Sequence, residues 1–125
     1  MLGFEDEAGA LVAIAEVVAD LFARDVWHIG LFIVATAAHG SGAAQALYRH
    51  LEAWMVCGGA RWLRLGVVAG NARAERFWER LGYIEVRKRE GVPMGQRVNT
   101  LRVMVKPVAG RLDEYLSKVG RDRAE

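Results

Sequence analysis

The feature that most constrains this fold is a strand, turn and helix in the middle of the chain. Residues 26–34 form a nearly continuous apolar run, which is typical of a strand buried on both faces of a sheet. A short segment rich in glycine and alanine follows, and residues 43–57 then carry apolar side chains at helical spacing. Another apolar run occupies residues 62–68. This order predicts two parallel strands joined by a right-handed crossover.

The flanking segments extend this unit into a larger sheet. Residues 10–19 are rich in β-branched side chains, which favours a strand, although a helix is a competing interpretation because the periodicity does not decide. Asn71 is a good N-cap for a helix over residues 72–81. The remaining predicted elements are strands over 2–5, 83–89 and 98–105, a turn at 91–95 and a helix over 111–119. We therefore expect an α/β fold of the α+β type, with a mixed central sheet flanked by helices.

Composition excludes several classes of protein. The chain has 125 residues, of which 53% are hydrophobic and 26% charged, so it can form one folded domain and is not a disordered tail. A net charge of +2 falls short of the dense basic patch of a nucleic-acid-binding protein. Charged residues interrupt the apolar runs before any reaches membrane-spanning length. The single cysteine, Cys57, cannot form an internal disulfide, and we expect a cytoplasmic location.

The glycine-rich turn before the predicted helix is a candidate anion site. The first N–H groups of a helix lack intrahelical partners and lie at its positive end. Small residues at Gly40, Gly42, Ala43 and Ala44 allow a bulky anion to approach closely. Phosphate or pyrophosphate is the expected ligand, and a tight turn without a ligand is the alternative. The segment fits neither a P-loop nor a dinucleotide-binding motif.

Two motifs in this order resemble the GNAT family of N-acetyltransferases. The family signature R/Q-x-x-G-x-G/A follows a strand ending in L-x-V, and the matching residues here are Phe32-Ile33-Val34 and then His39-Gly40-Ser41-Gly42-Ala43-Ala44. The family motif N-x-x-A-x-x-F-Y-x-x-x-G-F is similar to the run from Asn71 to Tyr83. The resemblance covers most of the chain. It divides the chain into an acetyltransferase domain over residues 1–109 and a helical tail over residues 110–125.

The resemblance implies acetyl-CoA as the donor and no metal. Three sets of residues would hold this donor. The strand backbone of Phe32, Ile33 and Val34 would pair with the pantetheine, and the amides of His39, Gly40, Ser41, Gly42, Ala43 and Ala44 would hold the pyrophosphate. The residues Asn71, Ala74, Phe77 and Trp78 would flank the thioester. The parallel strands must separate for the acyl chain to enter, and Arg73 and Arg76 are well placed to meet a phosphate.

Two departures from the family pattern affect the chemistry. His39 replaces the usual Arg or Gln, which removes the permanent charge that Arg would carry. A neutral imidazole still offers one N–H as a hydrogen-bond donor. Trp78 stands where the family has the tyrosine that protonates the departing thiolate. An indole N–H donates a hydrogen bond but cannot deliver a proton near neutral pH. Because a thiolate can depart without full protonation, we expect a weakened mechanism rather than an abolished one.

Two residues are candidates for the base that accepts the amine proton. His28 has the same strand parity as Phe32 and Val34, and imidazole has a suitable pKa. The alternative is a partly exposed histidine at a strand end. Glu16 interrupts an apolar strand, where an acid is costly unless it faces a cleft or a partner.

These observations predict an N-acetyltransferase in which a primary amine, on a small molecule or a peptide, attacks the thioester directly. The alternative is an acyl-CoA-binding module with little turnover. The family normally begins with a strand and two helices that line the acceptor groove, and this chain starts after them. Either the recorded start is internal to a longer gene, or a second subunit supplies that surface. We expect a homodimer that binds neither nucleic acid nor membrane.

Overall fold

The computed structural model describes residues 2–5, 11–34 and 42–123. The elements are β1 (Leu2–Glu5), β2 (Leu11–Val18), β3 (Val26–Val34), α1 (Ala43–Cys57), β4 (Trp62–Val68), α2 (Ala72–Arg80), β5 (Ile84–Met94), β6 (Arg97–Pro107), α3 (Leu112–Lys118) and a terminal 3-10 turn (Gly120–Asp122). The strand interpretation of residues 10–19 is confirmed. Within the described residues, no helix has the length and apolar character that crossing a membrane requires.

The strands form one six-stranded sheet in the order β1-β2-β3-β4-β6-β5. Only β3 and β4 run parallel among these neighbours, and the other pairs are antiparallel. The predicted mixed sheet and the predicted parallel pair are therefore confirmed. Because α1 connects the parallel strands, it has to cross over one face of the sheet.

Helices cover the two faces of the sheet unequally. On one face, α1 and α2 enclose the larger core, whose buried side chains include Tyr48, Leu51, Met55, Leu63, Leu65 and Met104. On the other face, α3 covers a smaller core of Val26, Trp62, Val105, Tyr115 and Val119. Successive residues of β4 alternate between these cores, as the pleat of a strand requires. The face that carries α1 and α2 is the one on which a cleft opens.

The predicted turn at residues 91–95 is wrong. β5 continues to Met94, and the register shifts between Arg89 and Val92, which marks a bulge. Gly91 has a φ of 67° inside this bulge, and the hairpin turns at Gly95, whose φ is 64°. Glycine tolerates the left-handed backbone of a bulge as readily as that of a turn. The first glycine therefore marks an irregularity within the strand and not its end.

Candidate active site

The parallel strands β3 and β4 separate halfway along their length. Their pairing ends at Ile29 and Leu65, whereas β3 continues to Val34 and β4 to Val68. On its other side β3 pairs with β2, where Val17 faces Ile29 and Glu16 faces Leu31. Gly30 is left without a partner in that ladder, so it forms a bulge. A bulge bends its strand and increases the twist, which accounts for the departure of β3 from β4 at this position.

A cleft of about 590 Å³ opens where these strands separate. It lies between the end of β3, the start of α1 and one side of α2. The residues that line it are Phe32 of β3, then Gly42, Ala44 and Gln45 at the cap and start of α1, and Asn71, Arg73, Ala74, Arg76, Phe77, Trp78 and Arg80 at the cap and along α2. Seven of the predicted cofactor-binding residues are thus together: Phe32, Gly42, Ala44, Asn71, Ala74, Phe77 and Trp78.

The start of α1 borders this cleft with the first backbone N–H groups of the helix. Gly42 precedes the helix with a φ of 78°, a left-handed conformation that favours glycine. The first intrahelical bond runs from the Ala46 amide to the Gly42 carbonyl at 3.1 Å. The amides of Ala43, Ala44 and Gln45 come before it and have no carbonyl one turn earlier in the helix. No acidic side chain occupies this first turn, so the positive end of the helix stays available to an anion.

The rest of the predicted anion turn, His39, Gly40 and Ser41, lies outside the described residues. Ile33 and Val34 lie in β3, and their side chains are outside the described part of the chain. Their predicted contacts with the pyrophosphate and the pantetheine stay predictions.

The start of α2 is capped as predicted. The side-chain oxygen of Asn71 accepts a hydrogen bond from the Ala74 amide at 3.3 Å. This bond satisfies one of the free donors of the first turn and fixes the position at which the helix meets the cleft. Ala74, Phe77 and Trp78 are half-buried against the core below. The cap therefore positions the residues that were expected to flank the thioester.

Aromatic rings form the floor of the cleft. The ring of Phe32 is stacked against that of Phe77, with 6.4 Å between the ring centroids. It meets the Trp78 ring edge-on, with 6.0 Å between the centroids. Beneath them, the ring centroids of Tyr48 and Tyr83 each lie 5.4 Å from the ring centroid of Trp78. The two tyrosine hydroxyls hydrogen-bond each other at 2.7 Å, and burial raises the pKa of both. Both tyrosines are buried and protonated near neutral pH, and this packing holds Trp78 in place.

The prediction that His28 shares a face with Phe32 is wrong. The bulge at Gly30 reverses the alternation, so Phe32 faces α1 and α2 while His28 lies on the opposite face beside Arg64. His28 Nδ1 is 3.1 Å from an Nη of Arg64. Because arginine only donates, Nδ1 is the acceptor. Burial, and then the charge of Arg64, lowers the pKa of His28 to about 4, so the imidazole is neutral with its one lone pair engaged.

Glu16 lies beside the point where the strands separate. It pairs with Leu31 in the strand ladder, directly after the bulge, and its side chain is exposed. Its neighbours Ala15 and Val17 pack into the core on the α1 side. Since side chains alternate along a strand, the Glu16 carboxylate lies on the face away from α1.

Sequence reasoning did not assign Gln45 and Arg80 to the site. Both line the cleft beside residues that it did assign. The spacing of the arginines could have identified Arg80. Arg73, Arg76 and Arg80 are separated by three and four residues, which places them on one side of a helix.

Comparison with known proteins agrees with this geometry. The family model described as the acetyltransferase (GNAT) family matches residues 1–83. The ribosomal-protein-S18-alanine N-acetyltransferase from Escherichia coli has a similar structure, with a TM-score of 0.72 and 25% identity over 85% of this chain and 67% of that chain. A GCN5-related N-acetyltransferase from Kribbella flavida has a TM-score of 0.70 and 25% identity over 83% of this chain and 64% of that chain. A search of the curated proteins gave no match.

A further structure shares the fold alone. A spermidine N-acetyltransferase chimera from Vibrio cholerae and hSSAT has a TM-score of 0.75 at 18% identity, over 92% of this chain and 70% of that chain. This chain thus spans roughly two thirds of the length of the solved structures that it resembles. The findings confirm the predicted fold class and, at the level of the family, the predicted N-acetyltransferase. The strand separation, the helix starts at the cleft and the family match over residues 1–83 together show that this chain belongs to the acetyltransferase (GNAT) family.

Proposed function

We propose that this protein transfers an acetyl group from acetyl-CoA to a primary amine. The observation that carries the proposal is the separation of β3 from β4 directly at a cleft bordered by two helix starts. Separated parallel strands leave backbone donors and acceptors free along the inner edge of each strand. A pantetheine chain carries amide groups that can pair with such an edge in the way an added strand does.

The residues around the cleft suit an anionic acyl donor. The amides of Ala43, Ala44 and Gln45 and the positive end of α1 favour a diphosphate there. The aromatic floor formed by Phe32, Phe77 and Trp78 suits the apolar part of the chain. When bound, acetyl-CoA supplies an acetyl thioester that the amine attacks directly. Holding both reactants in register then contributes much of the rate.

We assign the two proton transfers to different faces of the sheet. Because the sheet is open beyond Ile29 and Leu65, an acyl group bound between the strands is accessible from both faces. Glu16 lies on the face away from α1 and is our candidate for the base that takes the amine proton. His28 is the weaker candidate since Arg64 occupies its lone pair. Trp78 cannot protonate the leaving thiolate, which departs as the anion.

The test is binding followed by turnover. Thermal unfolding is measured with and without acetyl-CoA, and thiol release is then followed with a panel of amines that includes peptides with free N-termini and small polyamines. We expect a rise in melting temperature with acetyl-CoA and thiol release with at least one amine. A protein that shows neither response would refute the proposed function.

A second function, an acyl-CoA-binding module, is favoured by one observation. Trp78 sits in the cleft at the position of the family's proton donor, and the buried tyrosines beneath it bond to each other. Binding without thiol release across the amine panel would support this module. The expected homodimer and cytoplasmic location stay predictions.

A further inference from the structure

Three arginines form a row along the cleft side of α2. Arg73, Arg76 and Arg80 are exposed, and all three line the cleft. Their spacing of three and four residues puts them one above another on a helix. We call Arg73, Arg76 and Arg80 the arginine row.

The carboxylates of the same helix are bound elsewhere. Glu75 and Glu79 each accept a hydrogen bond from Arg102 of β6 at 3.1 Å, and Glu85 accepts a third at 2.5 Å. These contacts fix one side of α2 to the sheet and direct its negative charge away from the cleft. In the ranges 2–5, 11–34 and 42–123, no carboxylate forms an ion pair with the arginine row.

Without a bound anion, the positive charges of the arginine row destabilise α2. Arg76 and Arg80 are like charges at i and i+4, which repel each other on a helix surface. Arg73 lies in the first turn, where the helix dipole disfavours a cation. Across the cleft, the start of α1 is also positive and has no acidic residue in its first turn. A polyanion in the cleft would relieve all of these repulsions at once.

We propose that the arginine row binds the 3′-phosphate monoester of the CoA donor and makes the protein select the 3′-phosphorylated form. This inference rests on the proposed function. The first-turn amides of α1 already suit the diphosphate, which leaves the monoester as the second anionic group of the same ligand. A phosphate monoester carries a charge of about −1.5 to −2 near neutral pH, so more than one guanidinium is needed to balance it. The planar guanidinium also matches phosphate oxygens in a two-pronged geometry.

The test compares two ligands that differ only in this phosphate. Dissociation constants of CoA and 3′-dephospho-CoA are measured by calorimetry at low and high salt. The wild-type protein is expected to bind CoA about tenfold more tightly, and this ratio should shrink at high salt. In the double variant Arg76→Gln, Arg80→Gln the ratio should fall to near one, and Arg73→Gln should lower it in part.

A matched control removes the same charge away from the cleft. Arg89 and Arg97 are exposed on the β5–β6 hairpin, so the double variant Arg89→Gln, Arg97→Gln should keep the wild-type ratio. Equal affinity of the wild-type protein for the two ligands overturns the inference and leaves the proposed function standing. An equal fall of the ratio in the control also overturns it, because the effect would then be one of overall charge. Failure of the wild-type protein to bind either ligand overturns both proposals.

Discussion

Arg64 of β4 and Asp122 of the terminal 3-10 turn form a buried ion pair held by two hydrogen bonds of 2.6 and 3.0 Å. Tyr115 of α3 donates a third hydrogen bond to the same carboxylate, and His28 of β3 accepts one from Arg64. The last residues of the described chain are thereby attached to the two strands that border the cleft. The helical tail predicted after residue 109 is part of the folded sheet assembly.

Removal of the Asp122 charge should destabilise the protein strongly. Asp122→Asn leaves the Arg64 guanidinium buried without its counter-charge, and we expect a loss of about 3–5 kcal/mol in the free energy of unfolding by urea. The control is Asp113→Asn, since Asp113 pairs with Arg111 on the surface, where such a pair contributes less than about 1 kcal/mol. Equal losses of unfolding free energy in the two variants would show that the buried ion pair stabilises the protein no more than the surface pair does.

Stability should fall as the pH drops below 6.5. Burial, with the charge of Arg64, lowers the pKa of His28 from 6.5 to about 4, so the unfolded chain takes up a proton before the folded chain does. The stabilisation from neutral His28 is complete above pH 6.5 and is lost between 6.5 and about 4. Burial raises the pKa of Asp122, but the hydrogen bonds from Arg64 and Tyr115 outweigh it and hold that pKa below its usual 3.8, which extends the loss to lower pH.

The measurement is the free energy of unfolding at a series of pH values. His28→Gln retains an acceptor for Arg64 but does not titrate, so it should flatten the curve between 6.5 and about 4 and leave the more acidic part unchanged. An unaltered curve in this variant would assign the pH dependence to other groups.

Glu16 and His28 should differ in their effect on turnover. Glu16→Gln removes the proposed base and is expected to lower kcat about a hundredfold at saturating acetyl-CoA, with little change in stability because the side chain is exposed. His28→Gln should lower kcat by less than about tenfold, since its imidazole already accepts from Arg64. The reverse order, or loss of the acidic limb of the pH–rate profile in His28→Gln alone, would restore His28 as the base.

A tyrosine at position 78 should raise turnover. Trp78→Tyr introduces a hydroxyl that can protonate the leaving thiolate, and we expect kcat to rise about tenfold if this step limits the rate. Trp78→Phe is the matched control, because it leaves a similar space among Phe32, Tyr48 and Tyr83 but adds no hydroxyl. Thiol-release rates that rise equally in both variants would point to relief of crowding instead of proton donation.

Substitution of Gly42 should weaken donor binding beyond its effect on stability. Gly42 and Gly59 have φ values of 78° and 108°, and at either position an added Cβ meets no atom of the described residues within 4 Å. Alanine at either position should therefore cost a similar free energy, about 1–2 kcal/mol, from backbone strain alone. Only Gly42 lines the cleft, so Gly42→Ala should reduce acetyl-CoA affinity about tenfold while Gly59→Ala leaves it unchanged. Equal losses of acetyl-CoA affinity in the two variants would show that backbone strain, and not the position of Gly42 in the cleft, weakens binding.

Local sequence patterns determined most of the secondary structure. The apolar run of β3, the helical spacing of α1 and the side-chain cap at Asn71 all act between residues a few positions apart. Such short-range preferences depend on backbone geometry and can be recognised without the fold. The order of strand, helix and strand then required the parallel pair at which the cleft opens, and the same residues carried the family resemblance.

The tertiary structure decided which face each candidate residue occupies. One unpaired residue, Gly30, reverses the alternation of β3 and moves His28 away from Phe32. The partner of Arg64 lies 58 positions along the chain, and the glutamates of α2 face the sheet because Arg102 of β6 lies there. Bulges and buried ion pairs form through contacts between distant segments, so no periodicity in the sequence marks them. The elements were thus readable from local preferences, and the chemistry of the site depended on how the sheet brought them together.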